Sequence, residues 1–171
     1  MVNQLKFKGI LIVISSPSGA GKTSLANSIV EENENISFST SVTTRPPRDG
    51  EKNGREYHFV EKDQFNLMIK NKRFIEYAEV FGNYYGTLKD QIEKLLNDGK
   101  DIIFDVDWQG GTKIRNSYLS PFVVSVFILP PSIKTLHERL LNRNKDDDRT
   151  VKLRMKEARS EISHWSEYEY I

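Results

Sequence analysis

Apolar residues along this chain fall into two spacings. Three short runs, Ile10 to Ile14, Ile102 to Val106 and Val123 to Leu129, are nearly continuous and rich in β-branched residues, the composition of strands covered on both faces. Other segments carry helical spacing: Phe65 to Ile69, Leu88 to Leu96 closed by Asn97-Asp98-Gly99, and Ile133 to Leu141 behind Pro130-Pro131, with Ser132 as its N-cap. Strands alternating with helices predict an α/β fold around a parallel sheet. Residues 35–60 break that rhythm. They are polar, hold Pro46, Pro47, Gly50 and Gly54, and alternate near Ser37 to Thr43 and Tyr57 to Val60, which predicts short antiparallel strands around a loop, an insert on the core.

Length and composition narrow the class. A chain of 171 residues fills one core and is too short for two independent enzymatic domains. Hydrophobic residues at 37% and charged residues at 29% describe an ordinary globular protein, and a formal charge of +1 gives no basic field of the kind nucleic acids or membrane surfaces attract. The absence of cysteine excludes a disulfide framework and thiol chemistry and fits a cytoplasmic location. Lys6 and Lys8 precede apolar residues as a leader peptide would, but the apolar run stops at Ile14, and no later segment has the length of a membrane span. A homo-oligomer is compatible with this sequence.

The first apolar run leads into Ser16-Pro17-Ser18-Gly19-Ala20-Gly21-Lys22-Thr23, followed by the helix-like Ser24 to Val30. Strand, glycine-rich turn and helix form the context of a P-loop: backbone N–H groups cradle phosphates, Lys22 reaches the β and γ phosphates, and Thr23 offers its hydroxyl to Mg²⁺. An ordinary glycine turn with an incidental lysine is the competing reading, and the flanking elements weigh against it. Ser16 stands where the usual pattern opens with glycine.

A phosphate donor needs an acceptor site and positive charge at the migrating group. Thr43-Thr44-Arg45-Pro46-Pro47-Arg48 offers two guanidiniums on a stiffened loop, suited to a terminal phosphate monoester. The run Lys145 to Arg149 reads as a solvated loop, placed between Arg143 and Arg154 where a moving flap would have its tip.

Six motifs in order resemble the guanylate kinases, enzymes that move the γ-phosphoryl of ATP to GMP. They are the stretch 16–23; Thr43 to Glu51 with Asn53-Gly54 and Tyr57; Phe74-Ile75-Glu76; Gly82 to Thr87; Asp105-Val106-Asp107 with Gln109-Gly110; and Pro130-Pro131-Ser132. A small residue at position 16 fits bacterial-type members. The resemblance covers the whole length and implies a P-loop kinase with a parallel sheet flanked by helices (about 1–34, 88–137 and 155–171), a GMP-binding α+β insert (about 35–87) and a mobile helical lid (about 138–154). It implies ATP on Ser16, Pro17, Ser18, Gly19, Ala20, Gly21, Lys22, Thr23, Arg139 and Arg143. It places GMP, or dGMP, on Ser41, Arg45, Arg48, Tyr57, Glu76, Tyr85, Gly86, Thr87 and Asp107. Lys22, Arg48, Arg143 and Arg154 are the implied catalytic charges, and Thr23 and Asp105 would hold Mg²⁺, partly through water. Glu76 carries the base choice: a carboxylate accepts from guanine N1–H and its 2-amino group, and adenine offers neither.

Two departures accompany the resemblance. Asn144 replaces a glycine that commonly follows the flap arginine, and the stretch Tyr168 to Ile171 reads as a strand just begun, where such enzymes continue with a further strand and helix; a sequence that stops short of the full protein is the expectation. No role follows for His137 or His164, and Trp108 reads as core or pocket wall. A non-catalytic guanylate-kinase-like module that binds phosphorylated partners is the alternative, marked by a damaged P-loop, and a kinase for another nucleoside monophosphate is a third reading.

Overall fold

The computed structural model describes residues 7–80, 82–142 and 148–171, with side chains from residue 151 in the last stretch. In chain order it runs β1 (Leu11–Ser15), α1 (Lys22–Glu32), β2 (Ile36–Phe38), β3 (Val42–Thr43), β4 (His58–Phe59), α2 (Lys62–Lys70), β5 (Phe74–Val80), β6 (Asn83–Leu88), α3 (Lys89–Asn97), β7 (Asp101–Asp105), α4 (Trp108–Arg115), β8 (Val123–Phe127), α5 (Ile133–Leu141) and α6 (Asp148–Ser163). Two four-stranded sheets result, one ordered β2-β7-β1-β8 and the other β4-β3-β6-β5.

The first sheet is parallel throughout, with Leu11 opposite Ile102 and Val123, and Ile36 opposite Asp101. Its central strands are apolar on both faces because helices cover both. Leu11, Val13, Ile102, Phe104 and Phe127 meet Ile92 and Leu96 of α3 and Ile114 of α4 on one side, while Ile14 and Ile103 meet Ala26 of α1 on the other. The second sheet closes over Phe65 of α2, which stacks on Phe74 with ring centroids 4.6 Å apart.

Two helix starts have a side-chain cap. Ser132 Oγ accepts from the Thr135 amide at 3.0 Å and caps α5, and Asp107 Oδ1 accepts from the Gly110 amide at 2.8 Å and caps α4. Leu136 and Leu140 of α5 share one face, packed against Val151, Met155 and Ala158 of α6. Among the described residues no helix is long and apolar enough to cross a membrane.

The stretch expected to form an antiparallel insert divides differently. Residues 36–38 join the parallel sheet beside β7, where Ile36 and Phe38 have an apolar layer to enter, and β3 pairs with β4 in parallel, Val42 opposite His58. The antiparallel partners lie later: β3 with β6, and β6 with β5.

Candidate active site

Parallel strands deliver their C-terminal ends to one edge, and the phosphate loop and the acidic residues meet there. The loop leaves β1 at Ser15 and enters α1 at Lys22, bending through Gly19 (φ 94°) and Gly21 (φ 102°). Gly19 has a second constraint, since a Cβ would stand 3.0 Å from Leu140 Cδ2. Asp105, at the end of β7, takes an ion pair from the Lys22 ammonium and a 2.7 Å hydrogen bond from the Thr23 hydroxyl. Burial pushes the Lys22 ammonium down to about 8, against the Asp107 and Glu161 carboxylates that favour its charged form.

The last two helices supply further polar groups to the loop. Arg139 of α5 donates to the Ala20 carbonyl at 2.8 Å, and Arg154 of α6 donates to Ser18 Oγ at 3.3 Å. Glu161 of α6 accepts from the Ser18 amide at 3.1 Å. Sequence reading missed Glu161. Its only signal is a position seven residues beyond Arg154, hence on the same face once α6 continues as a helix past the expected lid (about 138–154). Arg143 lies outside the described residues.

Across the cleft the second sheet presents Ser41, Tyr57, Glu76 and Tyr85. Glu76 is 5% exposed and accepts from the Thr87 hydroxyl at 2.8 Å. Burial pushes its carboxyl up to about 7, the Thr87 bond and Lys113 opposing the shift and Asp107 adding to it. A Cβ on Gly110 would sit 3.2 Å from Glu76 Oε2 and 3.3 Å from Asp107 Oδ1, so both carboxylates close on the first turn of α4. Asp105 and Asp107 therefore differ: the first faces Lys22 and Thr23, while the second lies beyond the strand end, caps α4 and approaches Glu76. Thr87 and Gly86 lie buried behind this wall, and Gly86 leaves room for Phe74, whose Cδ1 would be 2.9 Å from an added Cβ.

Neither arginine of the loop lines the cleft, although both were expected to hold the acceptor phosphate. Arg45 forks onto Glu51 at 2.9 and 3.0 Å and lies over the Tyr57 ring at 5.4 Å, and the Tyr57 and Tyr85 rings meet edge to face at 6.0 Å. Burial holds the Tyr57 phenol neutral by raising its pKa. Glu51 also accepts from the Arg48 amide at 2.7 Å, and the Arg45 hydrogen bond holds its carboxyl below the usual range. The Arg48 side chain is exposed and does not line the cleft, unlike the expectation for a catalytic and phosphate-holding residue; a proline-stiffened turn closed by Glu51 points it to solvent. Glu51 stands in the recognised motif, but only its contacts mark it as the support of the loop.

Trp108 and His164 also find a relationship that the sequence did not indicate: their rings stack at 3.7 Å and 8°, and His164 Nδ1 lies 2.5 Å from Glu167. His137 is exposed on α5.

The cleft holds about 930 Å³ and is lined without interruption from Ser16 to Thr23, along Asp105 to Asp107, to Glu76 and Tyr85. One end offers loop amides and an ammonium for a polyphosphate, and the other a carboxylate and phenols for a smaller polar ligand.

A family model described as guanylate kinase matches residues 8–171. The chain is 48% identical over 164 residues to the guanylate kinase of Cereibacter sphaeroides, a match covering 96% of this chain and 78% of that protein. It is 47% identical over 167 residues to the guanylate kinase of Rickettsia felis, covering 98% of this chain and 86% of that one. A crystal structure of guanylate kinase from Anaplasma phagocytophilum superposes with a TM-score of 0.76 at 37% identity, over 98% of this chain and 77% of that chain. Similarity that runs nearly end to end, through the loop and both walls of the cleft, settles the assignment: the chain belongs to the guanylate kinase family.

Proposed function

We propose that the chain transfers the γ-phosphoryl of ATP directly to GMP within this cleft, ATP lying on residues 16–23 and GMP against Ser41, Tyr57, Glu76, Tyr85 and Asp107, with Thr87 behind Glu76. The observation that carries the reading is the continuity of one cleft from the phosphate loop to Glu76. Two substrates on opposite walls of a single cavity can be held in line without a covalent intermediate, and the acceptor phosphate oxygen is already a nucleophile.

Each group has a physical task. Lys22 and the loop amides bind the donor phosphates, and Arg139 and Arg154 stand beside the loop at Ala20 and Ser18 where charge develops during transfer. Arg143 belongs to the same proposed set. Tyr57 and Tyr85 take the acceptor phosphate from the cleft wall, and Arg45 and Arg48 join them by turning inward. The Thr23 hydroxyl and Asp105 carboxylate are hard oxygen donors side by side, a pair that suits Mg²⁺ shared with phosphates and water, and the bound ion would neutralise charge on the transferred group. Glu76, once ionised, accepts from guanine N1–H and the 2-amino group, and Asp107, capping α4 beside it, is a second acceptor for the base.

Coupled ADP release with ATP and Mg²⁺, offering GMP, AMP, UMP and CMP in parallel, tests the reading. Turnover with GMP alone, lost in Glu76→Gln, supports it; GMP binding without turnover of any acceptor would replace it with a binding module.

A further inference from the structure

The P-loop is already engaged with an anion of the protein's own. Glu161 Oε2 accepts from the Ser18 amide at 3.1 Å across 143 residues of sequence, while Arg154, two helical turns earlier on α6, donates to the Ser18 hydroxyl. One helix thus brings a negative and a positive group to the same loop residue. The contact is firmly based: Val151, Met155 and Ala158 fix α6 on Leu136 and Leu140, and Leu140 in turn abuts the Cβ position of Gly19. The carboxylate is half-buried, desolvation raises its pKa, and the Ser18 amide and Lys22 favour its charged form. An ionised carboxylate on an amide of such a loop makes the bond that a phosphate oxygen makes there.

Which phosphate it resembles follows from its place. Glu161 borders the main cleft and also a smaller cavity of about 240 Å³ beside Glu79 and Asp107, on the side of the loop that faces the acceptor wall. The outermost phosphate of a donor is the one directed to that side. A phosphate oxygen and a carboxylate cannot share the Ser18 amide, because like charges at hydrogen-bond distance repel.

We infer that Glu161 is an internal competitor for the terminal phosphate of the donor, holding the Ser18 amide until that phosphate displaces it, and so setting how strongly the loop prefers a triphosphate that can eject it over a diphosphate that need not. Ejection removes the negative group of α6 from the loop and leaves Arg154, on the same face, to meet the incoming charge. Glu161 is thereby a determinant of donor affinity. The inference rests on the phosphoryl-transfer reading above.

The test compares MgATP and MgADP binding to the whole chain by calorimetry, for the wild type, Glu161→Gln and Glu161→Asp. Asp is one methylene shorter and draws the carboxylate back from the amide, so it covers the case of a Gln variant that fails to fold. The expected result is ATP binding tighter on the order of tenfold in either variant, the worth of one charge-assisted hydrogen bond no longer opposed, with ADP and GMP affinities unchanged. ATP binding that is unchanged or weaker, or ATP and ADP tightening equally, would overturn the inference while GMP turnover by the wild type left the functional reading intact. A wild type that neither binds ATP nor turns over GMP would remove both.

Discussion

Thr87 donates its hydroxyl to Glu76 at 2.8 Å inside a wall where Glu76 is 5% exposed, and that bond is set against a larger desolvation of the carboxylate. Burial wins, and the carboxyl titrates near 7 where an ordinary one titrates near 4.5. Guanine needs the ionised form, so the GMP association constant should fall about tenfold per pH unit below 7 and level off above it. Calorimetry in buffers of different ionisation enthalpy should register proton release on GMP binding at pH 6, and Glu76→Gln should abolish the part due to this side chain.

The same shift acts on stability with the opposite preference. Between about 4.5 and 7 the native chain holds a proton that the unfolded chain has released, so stability declines as pH rises through that window and is level above it. Removing the charge with Glu76→Gln should raise the unfolding free energy obtained from urea denaturation at pH 8 by up to about 3 kcal/mol, and leave it nearly unchanged at pH 4.

Asp105 gathers Lys22 and Thr23, so its loss should disturb both. Asp105→Asn is expected to lower kcat by about 10²-fold, with a steeper requirement for Mg²⁺, and Lys22→Met by about 10²- to 10³-fold with near-native melting. Initial rates across a Mg²⁺ series separate the two effects.

Glu51 touches no proposed substrate atom, yet it closes the turn that carries both arginines. Glu51→Ala should raise the KM for GMP about tenfold and change kcat by less than about twofold, the mark of lost ground-state positioning. Glu51→Gln keeps one carbonyl oxygen for the Arg48 amide and should fall between.

Leu140 joins two structures at once, the α5 and α6 interface and the outer side of Gly19. Leu140→Ala should cost about 2–5 kcal/mol in chemical denaturation and also weaken ATP binding, whereas Leu96→Ala in the main core should cost as much without altering ATP affinity beyond its effect on folding.

Legibility in the sequence followed the range of the forces involved. β1, β7 and β8 were readable because a strand covered on both faces must be apolar throughout, and α5 because Ser132 announces its start. The P-loop was readable because positive φ and a close approach to Leu140 leave glycine little competition at position 19. Other elements depended on partners far along the chain. Gly111 lies within α4, where glycine is required because a Cβ would stand 2.6 Å from the hydroxyl of Tyr168, 57 positions later. The full extent of α6 escaped because its buried positions, Val151, Ala158 and the partly buried Met155, are sparse among charges and acquire meaning only against α5. Residues 36–38 are too few to show which sheet they join. In the site, Glu76 and the tyrosines could be named from the family resemblance, but Glu51 and Glu161 act through contacts that no spacing displays.

β1 has paired strands on both sides from Leu11 to Ile14, whereas β3 and β4 are two-residue strands in the other sheet. Amide protons of Ile12 and Ile14 therefore exchange with solvent only through the rarest openings of the molecule, and those around Val42 and His58 through common ones. Warming should loosen the edge of the second sheet formed by β3 and β4, with Ser41 and Tyr57 beside it, well before the turn that holds the polyphosphate, while the longer β5 and β6 pair keeps Glu76 in place. A partly melted chain would keep its grip on ATP after losing its hold on the acceptor, so acceptor binding has a smaller thermal margin than donor binding.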